Sequence, residues 1–266
     1  MAMITANWWS PDDVAAPDQP RVLLFPFAGG AAHSMREWIV ELEPEWRPLV
    51  MQYPGRGSRS REPFAASVAD LAAAAFADFL AMDDGRPPLV LGQSLGGYVA
   101  QAFTAALETA GITPRSLVVV SVRALGDAGG PPDAAAGRLG RTRWHQQSDD
   151  DLLARLHELG GADLEVFEHP ALREALLPIV RADLAIGDDH IAHARPHRVR
   201  CPVLAVHGIG DRQVSAAQSA AWATWTTGAF QAVSLPGGHF LQQRGPVGLR
   251  GILAGLPARR SELNDD

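Results

Sequence analysis

The chain has 266 residues, 47% of them apolar and 20% charged, with a formal net charge of −7. That length suits one α/β domain with room for an inserted subdomain, and the acidic balance argues against nucleic acid or an anionic membrane surface as a partner. All 23 basic residues are arginine, which excludes a Schiff-base lysine, a Ser-Lys dyad and a Walker lysine.

Residues Met1–Ser10 carry no basic region followed by an apolar core, so they do not read as a signal peptide. Arg21–Phe27 is an apolar run that reads as a buried strand and ends in Ala28-Gly29-Gly30. Pro48–Tyr53 reads as a second strand, closed by Pro54-Gly55. Val68, Leu71, Ala75 and Phe79 recur at helical spacing, which predicts a helix over 67–82. Leu89–Leu91 is a third strand, followed by a helix over 95–109 and a fourth strand at Ser116–Val122. Pro202–Val206 and Ala232–Leu235 are further strands, with a helical pattern over 213–227 between them. Strands that alternate with helices predict a mostly parallel sheet covered on both faces.

About 80 residues separate the strands at 116–122 and 202–206, far more than an ordinary crossover needs. They open with the hinge-like Gly126-Asp-Ala-Gly-Gly-Pro-Pro132. Ser148-Asp-Asp-Asp151 then reads as a capping box ahead of Leu152, Leu153, Leu156 and Leu159, with Gly160 as the stop. A second helical segment covers roughly 171–186. The expected organisation is a core of residues 1–125 and 196–258, a helical lid over 126–195, and a polar tail over 259–266. Cys201 is the one cysteine, so no intrachain disulfide can form, and a reducing cytoplasm is the expected setting. No apolar run is long enough to span a bilayer.

The chemistry centres on Gly92-Gln93-Ser94-Leu95-Gly96-Gly97, set between a strand and a helix. Gly-x-Ser-x-Gly in that context is the pattern of a nucleophile elbow, a sharp turn that exposes the serine Oγ. A serine hydroxyl needs a general base, and the base needs a group to orient it. Nine histidines are available. His239, in Pro236-Gly-Gly-His-Phe240, lies after the last clear strand, where the chain order Ser, acid, His places the base. Asp211 follows the strand at 202–206 and is the expected acid; its alternative role is to cap the next helix. Asp127, after the strand at 116–122, is the rival acid. The oxyanion donors are expected to be the backbone N–H of Leu95 and that of Ala28, with Phe27 as the second choice. No metal or tightly bound cofactor is required by this chemistry.

Several further pieces carry a family resemblance. They are Leu24–Gly30 with Trp38 downstream, Tyr53-Pro-Gly-Arg-Gly-Ser-Arg59, Glu62-Pro63, Gly92–Gly97, Leu159-Gly-Gly161, Leu177-Pro178, Arg181-Ala-Asp183, Cys201-Pro202, Gly208–Asp211 and Gly237-Gly-His-Phe240. Together they resemble the type II thioesterases that accompany polyketide synthases and nonribosomal peptide synthetases, and also the medium-chain thioesterases of fatty acid synthesis. The resemblance implies an α/β-hydrolase core with a helical lid. It also implies Ser94, Asp211 and His239 as the triad, and an acyl or peptidyl carrier protein bearing acyl-phosphopantetheine as the partner. Where the family commonly has His this chain has Phe27, and where it has Gly-His-Ser-Met-Gly-Ala this chain has Gly-Gln-Ser-Leu-Gly-Gly. Phe27, Gln93 and Phe240 are therefore expected to line the substrate pocket. Arg56, Arg59 and Arg61, or Arg195, Arg198 and Arg200, are candidate docking patches for the carrier. A dedicated releasing or cyclising thioesterase, a carboxylesterase for small oxygen esters and a non-catalytic carrier-protein binder are the alternatives. A monomer is expected.

Overall fold

The computed structural model describes residues 2–3, 7–10, 19–43, 45–125, 143–160, 164–193, 197–244 and 248–254. Among the described residues, eight strands form one sheet in the order β1-β2-β4-β3-β5-β6-β7-β8. They are β1 (Ala2–Met3), β2 (Trp8–Ser10), β3 (Arg21–Phe25), β4 (Arg47–Met51), β5 (Leu89–Gln93), β6 (Ser116–Val120), β7 (Val203–Gly208) and β8 (Phe230–Leu235). From β4 to β8 every pairing is parallel. The short β1 and β2 add an antiparallel edge beside β4.

The central strands are buried on both faces, and alternate residues serve opposite cores. Leu23 and Phe25 of β3 join Val90, Leu117 and Val119 under α2 (Val68–Ala81) and α3 (Leu95–Thr109). Val22 and Leu24 join Leu89, Leu91, Val118 and Val120 on the other face, under α1 (Arg36–Leu42) and α7 (Leu249–Ala254). β8 is an edge strand, and none of its residues is fully buried.

The predicted strands and the α2 and α3 helices all appear within two residues of their expected starts and stops. β1, β2 and α1 are additions to the predicted elements. Two- and three-residue strands are too short to show a period. The pattern over 213–227 proves to be α6 (Ala216–Ala220) followed by a 3-10 turn at Ala221–Trp225.

Between β6 and β7 lie α4 (Asp149–Leu159) and α5 (Pro170–His193). Ser148 caps α4 by accepting from the Asp151 N–H at 3.2 Å, and Gly160 ends it in the left-handed conformation at φ 73°. Helix α5 runs seven residues past the expected 186. Gly187 does not stop it, because Gly187 is buried on the core and a Cβ there would sit 3.4 Å from Leu95 Cδ1. Leu152, Leu153, Leu177 and Val180 give the insertion a small apolar cluster of its own. The hinge-like 126–132, with Asp127, and the tail at 259–266 lie outside the described residues. No helix among the described residues is long and apolar enough to cross a membrane.

Cys201 is a free, buried thiol. Burial, reinforced by the neighbouring Glu108 carboxylate, pushes it up to about 12, so it is no nucleophile near neutral pH.

Candidate active site

The sheet order reverses between β3 and β5: from β3 the chain moves to β4 on one side, then returns to β5 on the other. The loops after β3 and β5 therefore diverge at their carboxyl ends, which is where open α/β sheets form a crevice. Ser94 sits at that point, between β5 and α3, with φ 52° and ψ −121°. A non-glycine residue at that φ is strained and is held by its surroundings. The Ser94 N–H donates to the Val120 carbonyl at 2.9 Å, and the Gly97 N–H donates back to the Ser94 carbonyl at 2.9 Å. The turn is tight enough that a Cβ on Gly92 would stand 2.0 Å from the Gly96 carbonyl oxygen, and one on Gly96 would stand 2.0 Å from that of Phe25. This is why the motif needs glycine two residues either side of the serine.

His239 reaches the elbow from the loop after β8. Its Nε2 lies 3.1 Å from Ser94 Oγ, and its Nδ1 lies 3.0 Å from Asp211 Oδ2. Two glycine-rich loops bring these groups together by stacking backbone on backbone. The Gly210 N–H donates to the Gly237 carbonyl at 2.8 Å, and a Cβ on Gly208 would stand 2.3 Å from the Gly238 carbonyl oxygen. The Asp211 carboxylate is fully shielded from solvent. Its Oδ1 accepts from the Gln213 N–H at 2.8 Å and the Val214 N–H at 3.2 Å. Burial pushes this carboxyl up, but the hydrogen bond and charge of His239 and the two backbone donors outweigh it, and the net shift is downward. The next helix is not capped by Asp211. Ser215 caps α6 and closes a capping box with Gln218.

Leu95 is the first residue of α3, so its N–H is one of the donors that a helix start leaves without an intrahelical acceptor. Ala28 lies in the loop after β3. Among the described residues no group accepts from the Ala28 N–H. Phe27 and Phe240 are both half-buried beside the histidine and meet edge to face, with centroids 4.8 Å apart. Phe240 also packs against the His239 ring at 5.2 Å.

Gln93 does not line a pocket. It is fully buried, and its amide pairs with that of Gln242. Gln93 Nε2 donates to Gln242 Oε1 at 2.8 Å, and Gln242 Nε2 donates to Gln93 Oε1 at 2.9 Å. Gln93 Nε2 also reaches the His239 carbonyl at 3.3 Å. The last residue of β5 alternates away from the cleft, so its side chain braces the histidine loop from beneath. Nothing local in the sequence marks Gln242, a glutamine whose partner is 149 residues away. Gln93→Leu strands the buried Gln242 amide and is expected to destabilise the protein by about 1–3 kcal/mol. Urea unfolding measures this, and an unchanged midpoint would refute the bracing role.

The first arginine cluster is not a surface patch. Arg56 is 4% exposed and forms an ion pair with Asp183. Arg59 bonds to Asn7, to the Gln52 carbonyl and to Glu62. Only Arg61 of the three is exposed. In the second cluster Arg195 lies outside the described residues, Arg198 is exposed, and Arg200 holds the Glu108 carbonyl at 2.7 Å. Among the described residues no group of His, Cys, Asp and Glu could hold a metal ion.

Comparison with known proteins agrees with this architecture. The thioesterase-domain family model matches residues 20–249. Thioesterase PikA5 of Streptomyces venezuelae is 32% identical over 222 residues, covering 83% of this chain and 74% of PikA5. The AMB antimetabolite synthetase AmbE of Pseudomonas aeruginosa is 34% identical across 88% of this chain, which spans only 10% of AmbE. The structure of the type II thioesterase BorB, from the borrelidin biosynthetic cluster, matches with a TM-score of 0.79 at 28% identity, covering 96% of this chain and 98% of BorB. A serine elbow on a mostly parallel sheet would by itself admit any serine hydrolase, but the family match runs through both halves of the sheet and the insertion between them, and the chain belongs to the thioesterase family of α/β-hydrolases.

Proposed function

We propose that this protein removes acyl groups from the phosphopantetheine arm of carrier proteins of a polyketide or nonribosomal peptide synthase, through an acyl-enzyme on Ser94. The observation that carries the chemistry is the line of contacts from Ser94 Oγ to His239 Nε2 at 3.1 Å and from His239 Nδ1 to Asp211 Oδ2 at 3.0 Å. The substrate class is supported by similar proteins whose names are those of biosynthetic thioesterases, among them YbtT, a type II thioesterase from the yersiniabactin NRPS/PKS pathway.

His239 Nε2 takes the Ser94 proton as Oγ attacks the thioester carbonyl carbon. The carbonyl oxygen becomes an oxyanion held by the N–H groups of Leu95 and Ala28. Asp211, held ionised by its downward shift, keeps the Nδ1 proton on its own side and stabilises the imidazolium. As the tetrahedral intermediate collapses the C–S bond breaks, and the imidazolium gives its proton to the departing pantetheine thiolate. Water then attacks the acyl-Ser94 ester while His239 takes its proton. Collapse releases the acid and returns the proton to Ser94 Oγ. The Phe27–Phe240 pair forms an apolar wall beside the reacting carbonyl and accepts an acyl chain rather than a charged head. The insertion with α4 and α5 acts as the lid, over residues 126–195. The protein works as a monomer in the cytoplasm, where carrier proteins are its partners.

The test compares one acyl group on carrier-bound phosphopantetheine, on free pantetheine and on a matched oxygen ester. The expected result is the highest kcat/KM for the carrier-bound thioester, with Ser94 acylated during turnover and the free acid as product. Equal or better turnover of the oxygen ester would make the protein a carboxylesterase. A cyclic product would make it a releasing cyclase.

A further inference from the structure

Two sequence pieces that the triad does not use, Tyr53–Arg56 and Arg181–Asp183, meet behind the loop after β3. The Arg56 and Asp183 side chains are each 4% exposed. Asp183 Oδ1 accepts from Arg56 Nη2 at 2.7 Å, and Oδ2 accepts from Arg56 Nη1 and from the Gly29 N–H, the latter at 2.8 Å. Gly29 directly follows Ala28 in the loop.

The rest of that loop is tied to the core side. The Tyr53 hydroxyl donates to the Pro26 carbonyl at 3.0 Å, Arg56 Nη1 donates to the Gly30 carbonyl at 3.3 Å, and Gln52 Oε1 accepts from the Ala32 N–H at 3.1 Å. Asp183 is different because it belongs to α5, in the insertion. Val180 on the same helix lies against Gly29, where an added Cβ would meet Val180 Cγ2 at 2.7 Å. Gly187, further along α5, lies over Leu95. Helix α5 therefore touches the loop backbone at Gly29, next to the expected oxyanion donor Ala28, and, a turn further on, the side chain of Leu95, the other expected donor.

A buried ion pair is a poor source of net stability, because desolvation offsets most of the attraction. A buried carboxylate that also accepts a loop N–H does something an apolar pair could not. It holds the Ala28–Gly29 peptide by taking the Gly29 N–H, while the adjacent Ala28 N–H has no acceptor among the described residues. We infer that Asp183 is a positioning residue for the thioester reaction: from helix α5 it holds the Gly29 N–H and so aims the neighbouring Ala28 N–H at the oxyanion, with Arg56 holding Asp183 in place. This rests on the oxyanion reading proposed above. It makes the seating of α5 on the loop a condition for turnover.

Asp183→Ala alone would leave Arg56 as a buried unpaired cation, which destabilises by itself. The test therefore uses two charge-free pairs, Arg56→Met with Asp183→Asn, and Arg56→Met with Asp183→Leu. Both lose the ion pair, and only the second loses the acceptor for the Gly29 N–H. Hydrolysis of an acyl-pantetheine thioester is measured together with affinity for an alkyl boronic acid, whose tetrahedral adduct on Ser94 places an oxygen between the two N–H groups. The expected result is a kcat about 100-fold lower for the Leu pair than for the Asn pair, as a misplacement near 1 Å produces. KM stays unchanged, and boronate affinity falls in parallel with kcat. Values within threefold of each other, or an effect on KM alone, would overturn the inference. If either pair fails to fold, Asp183→Glu is measured in the same way: lower kcat and boronate affinity at constant KM support the inference, and an unchanged kcat overturns it. Wild-type protein that does not turn over the thioester, or Ser94→Ala that still does, would defeat the functional reading instead.

Discussion

Asp211→Asn is expected to lower kcat about 10⁴-fold while the fold and KM survive. The asparagine Oδ1 can still accept from the Gln213 and Val214 N–H groups, so the loop keeps its shape. The other half of the amide is a donor facing His239 Nδ1, where Asp211 Oδ2 accepts at 3.0 Å. That forces the imidazole proton onto Nε2, the atom that must accept from Ser94 Oγ. The measurement is steady-state turnover of an acyl-pantetheine thioester alongside thermal unfolding. A loss under about tenfold would remove Asp211 from the orienting role. The same substitution has a pH signature. The carboxyl is held below its ordinary range, so ionised Asp211 stabilises the fold above the unfolded carboxylate range. That contribution is lost as pH falls through the folded value. In Asp211→Asn this part of the acid sensitivity disappears.

Gly96→Ala is expected to destabilise the protein by more than about 4 kcal/mol, or to yield no folded protein. The added Cβ would stand 2.0 Å from the Phe25 carbonyl oxygen and 2.5 Å from that of Pro26. Both contacts are backbone at the end of β3, the central strand, so relief requires moving the sheet or the elbow. Gly111→Ala is the control. Gly111 has φ +83° and nothing within 4 Å of the added Cβ, so only the backbone conformation is strained, at about 1–2 kcal/mol. Urea denaturation of both variants separates close approach from conformational strain. Equal losses would show that the elbow tolerates a methyl group.

The strands and the elbow were legible because their signals are local. A parallel strand buried on both faces must be a continuous apolar run, as Leu89–Leu91 and Leu117–Val120 are. A tight strand-to-helix turn must carry small residues at fixed offsets, as Gly92 and Gly96 do. Helix α5 was legible in its middle but not at its end, because a glycine that stops an exposed helix can continue a buried one when it packs on Leu95. Arg56 reads from composition as part of a basic surface run. Its partner, 127 residues on, reverses that reading.

Residue type, spacing and order along the chain were enough to read the α/β class, the tight turn at Ser94 and the expectation that Asp211 and His239 join it. What faces what emerged only from the packed fold. It turned Gln93 down onto Gln242, made Arg56 a buried clamp, and set Asp183 of the insertion against Gly29. The physical reason is the same in each case. A polar side chain takes its role from the partner that satisfies it when buried, and that partner comes from a distant part of the chain that no local pattern identifies.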